Sequence, residues 1–295
     1  MKKVLILWFI LTLFLPVLAG AETIVTSFYP VWLLTQNLTS GLDNIHVVNL
    51  AENASGCLHD YTLQSSDMVR LSQADALLIN GSGMESFLPV ITGAYPDLPV
   101  IDATAGLPFL SESDIIEIGE AEEGETVNSH LWLDPQRAAG MAANLAEGLI
   151  RLLPGQEEQI ARNLAGFRER LLALDETLRA ELKNTGRKVI IFHEAFPYFA
   201  EACGLQTVAI VNKEPEDDLS PAGISRILML ISNEETLPVI IKSTETDRSV
   251  EVLVHETGLP VCELDPLTSG PEDPPEDYYE TVMLRNMKVL QEALR

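Results

Sequence analysis

The chain has 295 residues, 46% of them hydrophobic and 6% aromatic, which suffices for one large or two ordinary globular domains. Its 19 basic and 44 acidic residues give a formal net charge of −25. This acidic excess argues against a nucleic-acid partner, because phosphate binding needs clustered Lys and Arg. Three cysteines are too few for a disulfide framework.

Residues 1–21 have the order of a secretory signal peptide. Lys2 and Lys3 precede an apolar run over 4–18, and small residues follow at 19–21, as signal cleavage requires. The run is short for a membrane span, although a membrane anchor is the alternative. No cysteine stands at the cleavage site, so we expect a periplasmic protein without a lipid anchor.

Strand and helix patterns alternate through the next part of the chain, which we assign to an N-terminal α/β lobe over 22–154. Such alternation predicts right-handed βαβ crossovers and a parallel sheet. The predicted strands are 23–28, 44–50, 75–80 and 99–103, and the predicted helices are 30–38, 65–73 and 84–94.

The segment 111–125 breaks the alternation. It holds seven acidic residues and no Lys or Arg, so like-charge repulsion should keep it extended. We expect a mobile surface loop; the alternative is a cation-capturing segment that feeds a nearby site.

A long helix is predicted to connect two halves of the chain. Asp134 and Pro135 suit the N-cap and first position of a helix that reaches about Leu153. A second helical pattern runs from 156 to 183, roughly 40 Å at 1.5 Å per residue. We assign 155–186 to a connecting strut; a coiled-coil dimer arm is the alternative.

Alternation resumes after the strut, and we assign 187–295 to a C-terminal α/β lobe. The predicted strands are 188–192, 207–211, 238–242 and 260–264, and the helices are 195–202, 221–232, 248–256 and 277–294. The predicted fold class is therefore α/β, with two βα lobes of mainly parallel sheets joined by one long strut helix.

Four metal-capable side chains occupy comparable places in the two lobes. His59 and His130 follow strands of the first lobe, at a loop and a helix entry, while His193 and Asp265 stand at the carboxyl ends of strands of the second. Ligands of open α/β sheets bind beyond those ends. Three imidazoles and a carboxylate suit a divalent ion held between the lobes.

Several segments around these side chains resemble, in order, the signature blocks of zinc- and manganese-binding solute-binding proteins of ABC transporters. The resemblance covers nearly the whole chain after the signal peptide. The segments are His59-Asp60-Tyr61, Ser66-Asp67, Ala74-Asp75, the stretch HLWLDP at 130–135, the stretch HEAFPYF at 193–199, and LDPL at 264–267.

The resemblance implies that His59, His130, His193 and Asp265 are the metal ligands. It also implies a metal site between the lobes and delivery of the ion to an inner-membrane permease. In this family a histidine at the third ligand position accompanies zinc, whereas a glutamate is more typical of manganese members. We therefore expect a monomeric, non-enzymatic zinc carrier, with Mn²⁺ as the second candidate ion.

Two features depart from the family pattern. The segment before His130 is acidic where many zinc members have a histidine-rich loop, and Ser243-Thr244-Glu245 replaces a frequent Glu-Pro-Gln. A manganese- or iron-specific member, or a metal-stabilised surface adhesin, are the alternatives. A zinc hydrolase is disfavoured, because no histidine follows four residues after His193 as in the metalloprotease helix.

The cysteines allow one bridge and one free thiol. A bond between Cys203 and Cys262 could tie together the second-lobe loops that carry His193 and Asp265. Cys57, two residues before His59, would then be a free thiol near the site.

Overall fold

The structure is a computed structural model of the chain. It describes residues 21–52, 61–110, 115–119, 127–182, 186–212, 219–232, 236–244 and 248–295. The predicted signal peptide, apart from residue 21, therefore lies outside the described residues.

The first lobe is built on a four-stranded parallel sheet. Its strands are β1 (Glu22–Thr26), β2 (Ile45–Asn49), β3 (Ala76–Ile79) and β4 (Val100–Asp102), in the order β2-β1-β3-β4. The connecting helices are α1 (Tyr29–Thr39), α2 (Ser65–Leu71) and α3 (Leu88–Ala94). The sequence predicted each of these elements, because the buried strands are short apolar runs between turn residues.

The second lobe is built on a five-stranded parallel sheet. Its strands are β5 (Ile116–Gly119), β6 (Lys188–Phe192), β7 (Gln206–Asn212), β8 (Val239–Ser243) and β9 (Val261–Leu264), in the order β5-β7-β6-β8-β9. The helices that follow strands are α6 (Pro197–Ala202), α7 (Pro221–Ser232), α8 (Arg248–Thr257) and α9 (Tyr278–Ala293).

Strand β5 corrects one prediction. The acidic segment was expected to be a surface loop throughout, yet residues 116–119 pair with β7 at the edge of the second sheet. Ile116 and Ile118 alternate with Glu117, and Ile118 is buried in the core of that lobe. Residues 111–114 and 120–126 lie outside the described residues. The predicted division at 154/155 stays a prediction, although β5 precedes it in sequence and belongs to the second sheet.

Helix α4 (Pro135–Leu152) leads into α5 (Glu157–Leu182), the predicted strut. The 26 residues of α5 span roughly 39 Å. Its buried stripe includes Leu171 and Leu178, and it packs against α1 of the first lobe and α9 of the second. The side-chain amide of Asn163 donates to the carbonyl of Leu38 at 2.9 Å. The strut is therefore fixed to both lobes.

The larger of two apolar cores runs through both lobes. It joins Ile24 of the first sheet, Leu171 of the strut and Ile191 of the second sheet. Ile190, the neighbour of Ile191 in β6, faces a smaller core on the other side of the second sheet, as expected for a parallel strand covered on both faces. None of the described helices combines the length and apolarity needed to cross a membrane.

Candidate metal centre

His130 lies at the start of a short 3₁₀ helix, Leu131–Leu133, directly before α4. The predicted cap of α4 is confirmed: the Asp134 carboxylate accepts from the backbone N–H groups of Gln136 at 2.7 Å and Arg137 at 3.1 Å. Burial raises the pKa of Asp134. The two backbone hydrogen bonds oppose this rise, and so does the positive charge of the Arg137 guanidinium, which lies 2.6 Å from the carboxylate. The helix entry thus holds the backbone that follows His130.

The segment that carries His130 also contacts the second lobe. The indole N–H of Trp132 donates to the carbonyl of Pro266 at 2.9 Å, and the Tyr279 hydroxyl donates to the carbonyl of Trp132 at 2.6 Å. Pro266 follows the predicted ligand Asp265. The segments of His130 and Asp265 are therefore joined by a direct hydrogen bond, and a second bond ties the His130 segment to α9.

His130 is fully buried and its ring orientation is set by Asn128. The Nδ1 atom of His130 lies 3.0 Å from the Oδ1 atom of Asn128, which also accepts from the His130 backbone N–H at 3.1 Å. Because an amide oxygen only accepts, the neutral ring carries its proton on Nδ1. The lone pair is then on Nε2, and a ring N–H donated to a fixed acceptor is the usual arrangement of a metal-binding histidine.

His193 follows β6 and adopts a φ of +111°, which is unusual for a residue with a Cβ. Its ring centroid lies 6.0 Å from that of His130, with the rings inclined at 75°. The backbone N–H of Ala195 donates to His193 Nδ1 at 3.2 Å. The structure therefore brings together two of the predicted ligands, one from each lobe, and holds His193 in a strained conformation of the kind that clusters at functional sites.

Asp265, directly after β9, has both carboxylate oxygens engaged within the second lobe. Oδ1 accepts from the Leu267 N–H at 2.8 Å, and Oδ2 accepts from the Arg285 guanidinium at 2.6 Å. The Asn286 side chain bonds the Asp265 backbone twice, at 2.9 and 2.8 Å. Within the described ranges, no three His, Cys, Asp or Glu side chains converge as a metal-binding group. Asp265 thus does not join the two histidines in this conformation.

His59, the fourth predicted ligand, lies outside the described residues. The chain just after it is anchored, because the Tyr61 hydroxyl donates to the Asp67 carboxylate at 2.8 Å and the Gln64 N–H donates to the same group at 2.7 Å. The aspartate of the Ser66-Asp67 block therefore anchors the start of α2 and the segment that leads into it.

The sequence did not predict a buried hydrogen-bond network that supports the backbone next to His130. Glu85 accepts from the N–H groups of Asn80 and Gly81 at 2.7 and 3.0 Å, and the Asn80 amide donates to the carbonyl of Ser129 at 3.0 Å. Burial raises the pKa of Glu85 to about 7. The only signal in the sequence was the Gly81-Ser82-Gly83 turn, where the Ser82 carbonyl accepts from the Ser129 hydroxyl at 2.7 Å.

The suggested disulfide is wrong. Cys203 and Cys262 are both buried and both free thiols. The Cys262 sulfur faces the carbonyl of Ile240 at 3.5 Å. Burial raises the pKa of both thiols, to about 12 for Cys262. Cys57 lies outside the described residues.

The chain is similar to proteins that are named for binding metal ions. Zinc-binding lipoprotein AdcA of Streptococcus pneumoniae is 26% identical over 284 residues, which cover 93% of this chain and 56% of that protein. Iron-binding protein YfeA of Yersinia pestis is 27% identical over 273 residues, or 90% of this chain and 83% of that protein. The chain thus spans about half the length of the AdcA proteins it matches.

Solved structures share the fold. The solute-binding protein FpvC of Pseudomonas aeruginosa in complex with Mn²⁺ has a TM-score of 0.80 at 24% identity, over 93% of this chain and 99% of that one. The Zn(II)-bound ZnuA-like domain of Streptococcus pneumoniae AdcA has a TM-score of 0.74 at 25% identity, with the same coverage. The two-lobed parallel α/β fold predicted from the sequence is confirmed.

The family model described as ZnuA, zinc-uptake complex component A periplasmic, matches residues 24–293. This range contains every segment on which the resemblance was based. The chain therefore belongs to the periplasmic zinc-uptake component A family of solute-binding proteins.

Proposed function

We propose that this protein binds a divalent metal ion, zinc in preference to manganese or iron, in the periplasm and delivers it to an inner-membrane ABC permease. The observation that carries the proposal is the approach of His130 and His193 from opposite lobes, with ring centroids 6.0 Å apart. Zinc lies about 2.0–2.1 Å from a ligating nitrogen, so two imidazoles on one ion have centroids about 5–6 Å apart. The metal is the cargo.

The proposed ligands are His59, His130, His193 and Asp265. His130 is already the tautomer that presents an Nε2 lone pair, whereas His193 accepts an N–H bond on Nδ1 and Asp265 is paired with Arg285. We expect loading to exchange these internal partners of the second-lobe ligands for the ion. Such an exchange gives the site two arrangements, as a carrier that must also release its cargo requires.

Imidazole at position 193 supports zinc over manganese. Nitrogen ligands favour zinc, and oxygen ligands favour manganese. Iron remains a candidate cargo because YfeA, an iron-binding protein, is among the relatives. His193→Glu should shift the preference toward manganese, and unchanged selectivity would remove this argument for zinc.

A competitive titration of the mature chain with zinc and manganese tests metal binding. We expect one ion per chain, released on acidification as imidazoles take up protons. His130→Ala should lose tight binding, and His255→Ala is the matched control because His255 is exposed on α8. A protein that binds neither ion at micromolar concentration would refute the proposal.

Delivery needs a separate experiment in cells. A strain that lacks this protein should grow poorly when a chelator limits zinc, and the wild-type chain, but not His130→Ala, should restore growth. Restoration by both would favour a metal-stabilised surface protein. Metal-dependent ester or peptide cleavage by the purified chain would favour an enzyme instead.

A further inference from the structure

We propose that Asn128 is a positioning residue that couples the two halves of the metal site. Its side chain fixes the tautomer of His130 and at the same time binds the backbone next to His193. The inference rests on the proposed metal-binding function and adds to it the residue that makes the histidines of the two lobes act together.

The acceptor side of the Asn128 amide binds His130. Its Oδ1 atom receives the backbone N–H of His130 at 3.1 Å and Nδ1 of the ring at 3.0 Å. The ring bond requires the proton on Nδ1 and the backbone bond keeps the amide oxygen in place, so Asn128 selects the tautomer whose Nε2 can ligate an ion.

The donor side of the Asn128 amide binds the segment that carries His193. The Nδ2 atom of Asn128 donates to the carbonyl of Glu194 at 2.7 Å, one residue after His193. This bond also fixes which end of the amide faces His130, since only the NH₂ group can donate to a carbonyl. One half-buried side chain thus connects the segment of His130 to the segment of His193.

The main chain of Asn128 strengthens the same connection. The hydroxyl of Tyr198, on α6, donates to the carbonyl of Asn128 at 2.8 Å. His193 holds its φ of +111° between this helix and β6. A conformation of that kind persists where surrounding contacts determine it, and the bond to the Glu194 carbonyl is one such contact.

Two substitutions separate the two roles. Asn128→Ala removes both, and we expect metal affinity to fall about 10- to 100-fold, the usual loss when the partner of a ligating histidine is removed. Asn128→Asp keeps an oxygen acceptor for His130 but has no donor for the Glu194 carbonyl. We expect it to bind more weakly than wild type and more tightly than Asn128→Ala.

The tautomer provides a readout that simple loss of stability would not move. In metal-free protein labelled with ¹⁵N-histidine, and with the His130 signals assigned by His130→Ala, the wild type and Asn128→Asp should show the Nδ1–H form. Asn128→Ala should show a larger share of the Nε2–H form. Asn144→Ala is the matched control, because the Asn144 amide also spans two carbonyls, of Ala103 and Ala105, within the first lobe.

The outcomes separate this inference from the function on which it rests. If the wild type binds no metal, the proposed function fails. If the wild type binds and Asn128→Ala binds equally well with an unchanged tautomer, the positioning role is refuted. If Asn128→Asp equals the wild type, the bond to the Glu194 carbonyl contributes nothing, and the coupling of the two lobes is refuted.

Discussion

Replacing Arg285 with Met should tighten metal binding. The Arg285 guanidinium lies 2.6 Å from Asp265 Oδ2, on one of the two oxygens that the proposed ligand would offer to the ion. A metal that coordinates this oxygen competes with the guanidinium for its lone pairs and its charge. Met has similar length and no charge, so the substitution removes the competitor and keeps most of the packing.

The size of the effect follows from exposure. The side chain of Arg285 is 57% exposed and that of Asp265 is 28% exposed, so water screens much of the attraction. Pairs of this kind contribute about 0–1 kcal/mol, and the upper value corresponds to about a fivefold gain in affinity. The gain should shrink in high salt, because salt screens an exposed pair.

Competition of the protein with a chromogenic zinc chelator measures the change. Arg285→Lys keeps the charge and should stay near the wild type, and Arg162→Ala controls for loss of an exposed arginine, since Arg162 pairs with Glu158 on α5. Weaker binding by Arg285→Met would contradict a competition between Arg285 and the ion and would show that Arg285 orients Asp265 toward the ion.

Three further predictions concern stability and thiol chemistry. Burial raises the pKa of Glu85 from 4.5 to about 7, so the folded state holds this proton more tightly than the unfolded state. The free energy of unfolding should therefore fall by up to about 3 kcal/mol as the pH rises from below 4.5 to above 7. Glu85→Gln should flatten the profile in urea denaturation at pH 5 and 8, and an unchanged profile would contradict the assignment. Asp134→Ala should lose about 2 kcal/mol with the helix cap, seen as a melting temperature several degrees lower; an unchanged value would show that the cap contributes little. In a Cys57→Ser background, Cys203 and Cys262 should resist a thiol reagent until guanidinium unfolds the chain, and rapid labelling of the folded protein would refute their burial.

Most of the fold was predictable because its signals are local. Strand β6 is a short apolar run, and α5 shows charges between leucines at helical spacing; the helix was predicted to within one residue at each end. The Asp134-Pro135 cap was predictable for the same reason. Such features depend on neighbours in the sequence, which are visible without a structure.

Strand β5 and the cysteine pair were not predictable, because tertiary contacts decide them. Residues 116–119 carry only two alternating isoleucines within an acidic segment, and their strand conformation depends on pairing with β7, where Ile116 lies opposite Ala209. Likewise, Cys203 and Cys262 occupy positions that suggested a bond, but bond formation depends on geometry that spacing does not specify.

The candidate site divides in a similar way. Its two described histidines were identified from their places after strands and at a helix entry, and they do lie together. The conformation of His193 and the partners of Asp265 depend on α6 and α9, which no spacing rule connects to them. Asn128 could have been noticed, because the side chain of an asparagine can accept the backbone N–H of the residue two positions later, here His130.

The position of β5 has a consequence for how the lobes fold. The chain enters the second sheet at Ile116, returns to the first lobe for α4, and enters the second sheet again at Lys188. A cut at 154/155 would place the edge strand of one sheet on the opposite fragment and divide the shared core. Two fragments made by such a cut would therefore have to associate to complete the second sheet and the core.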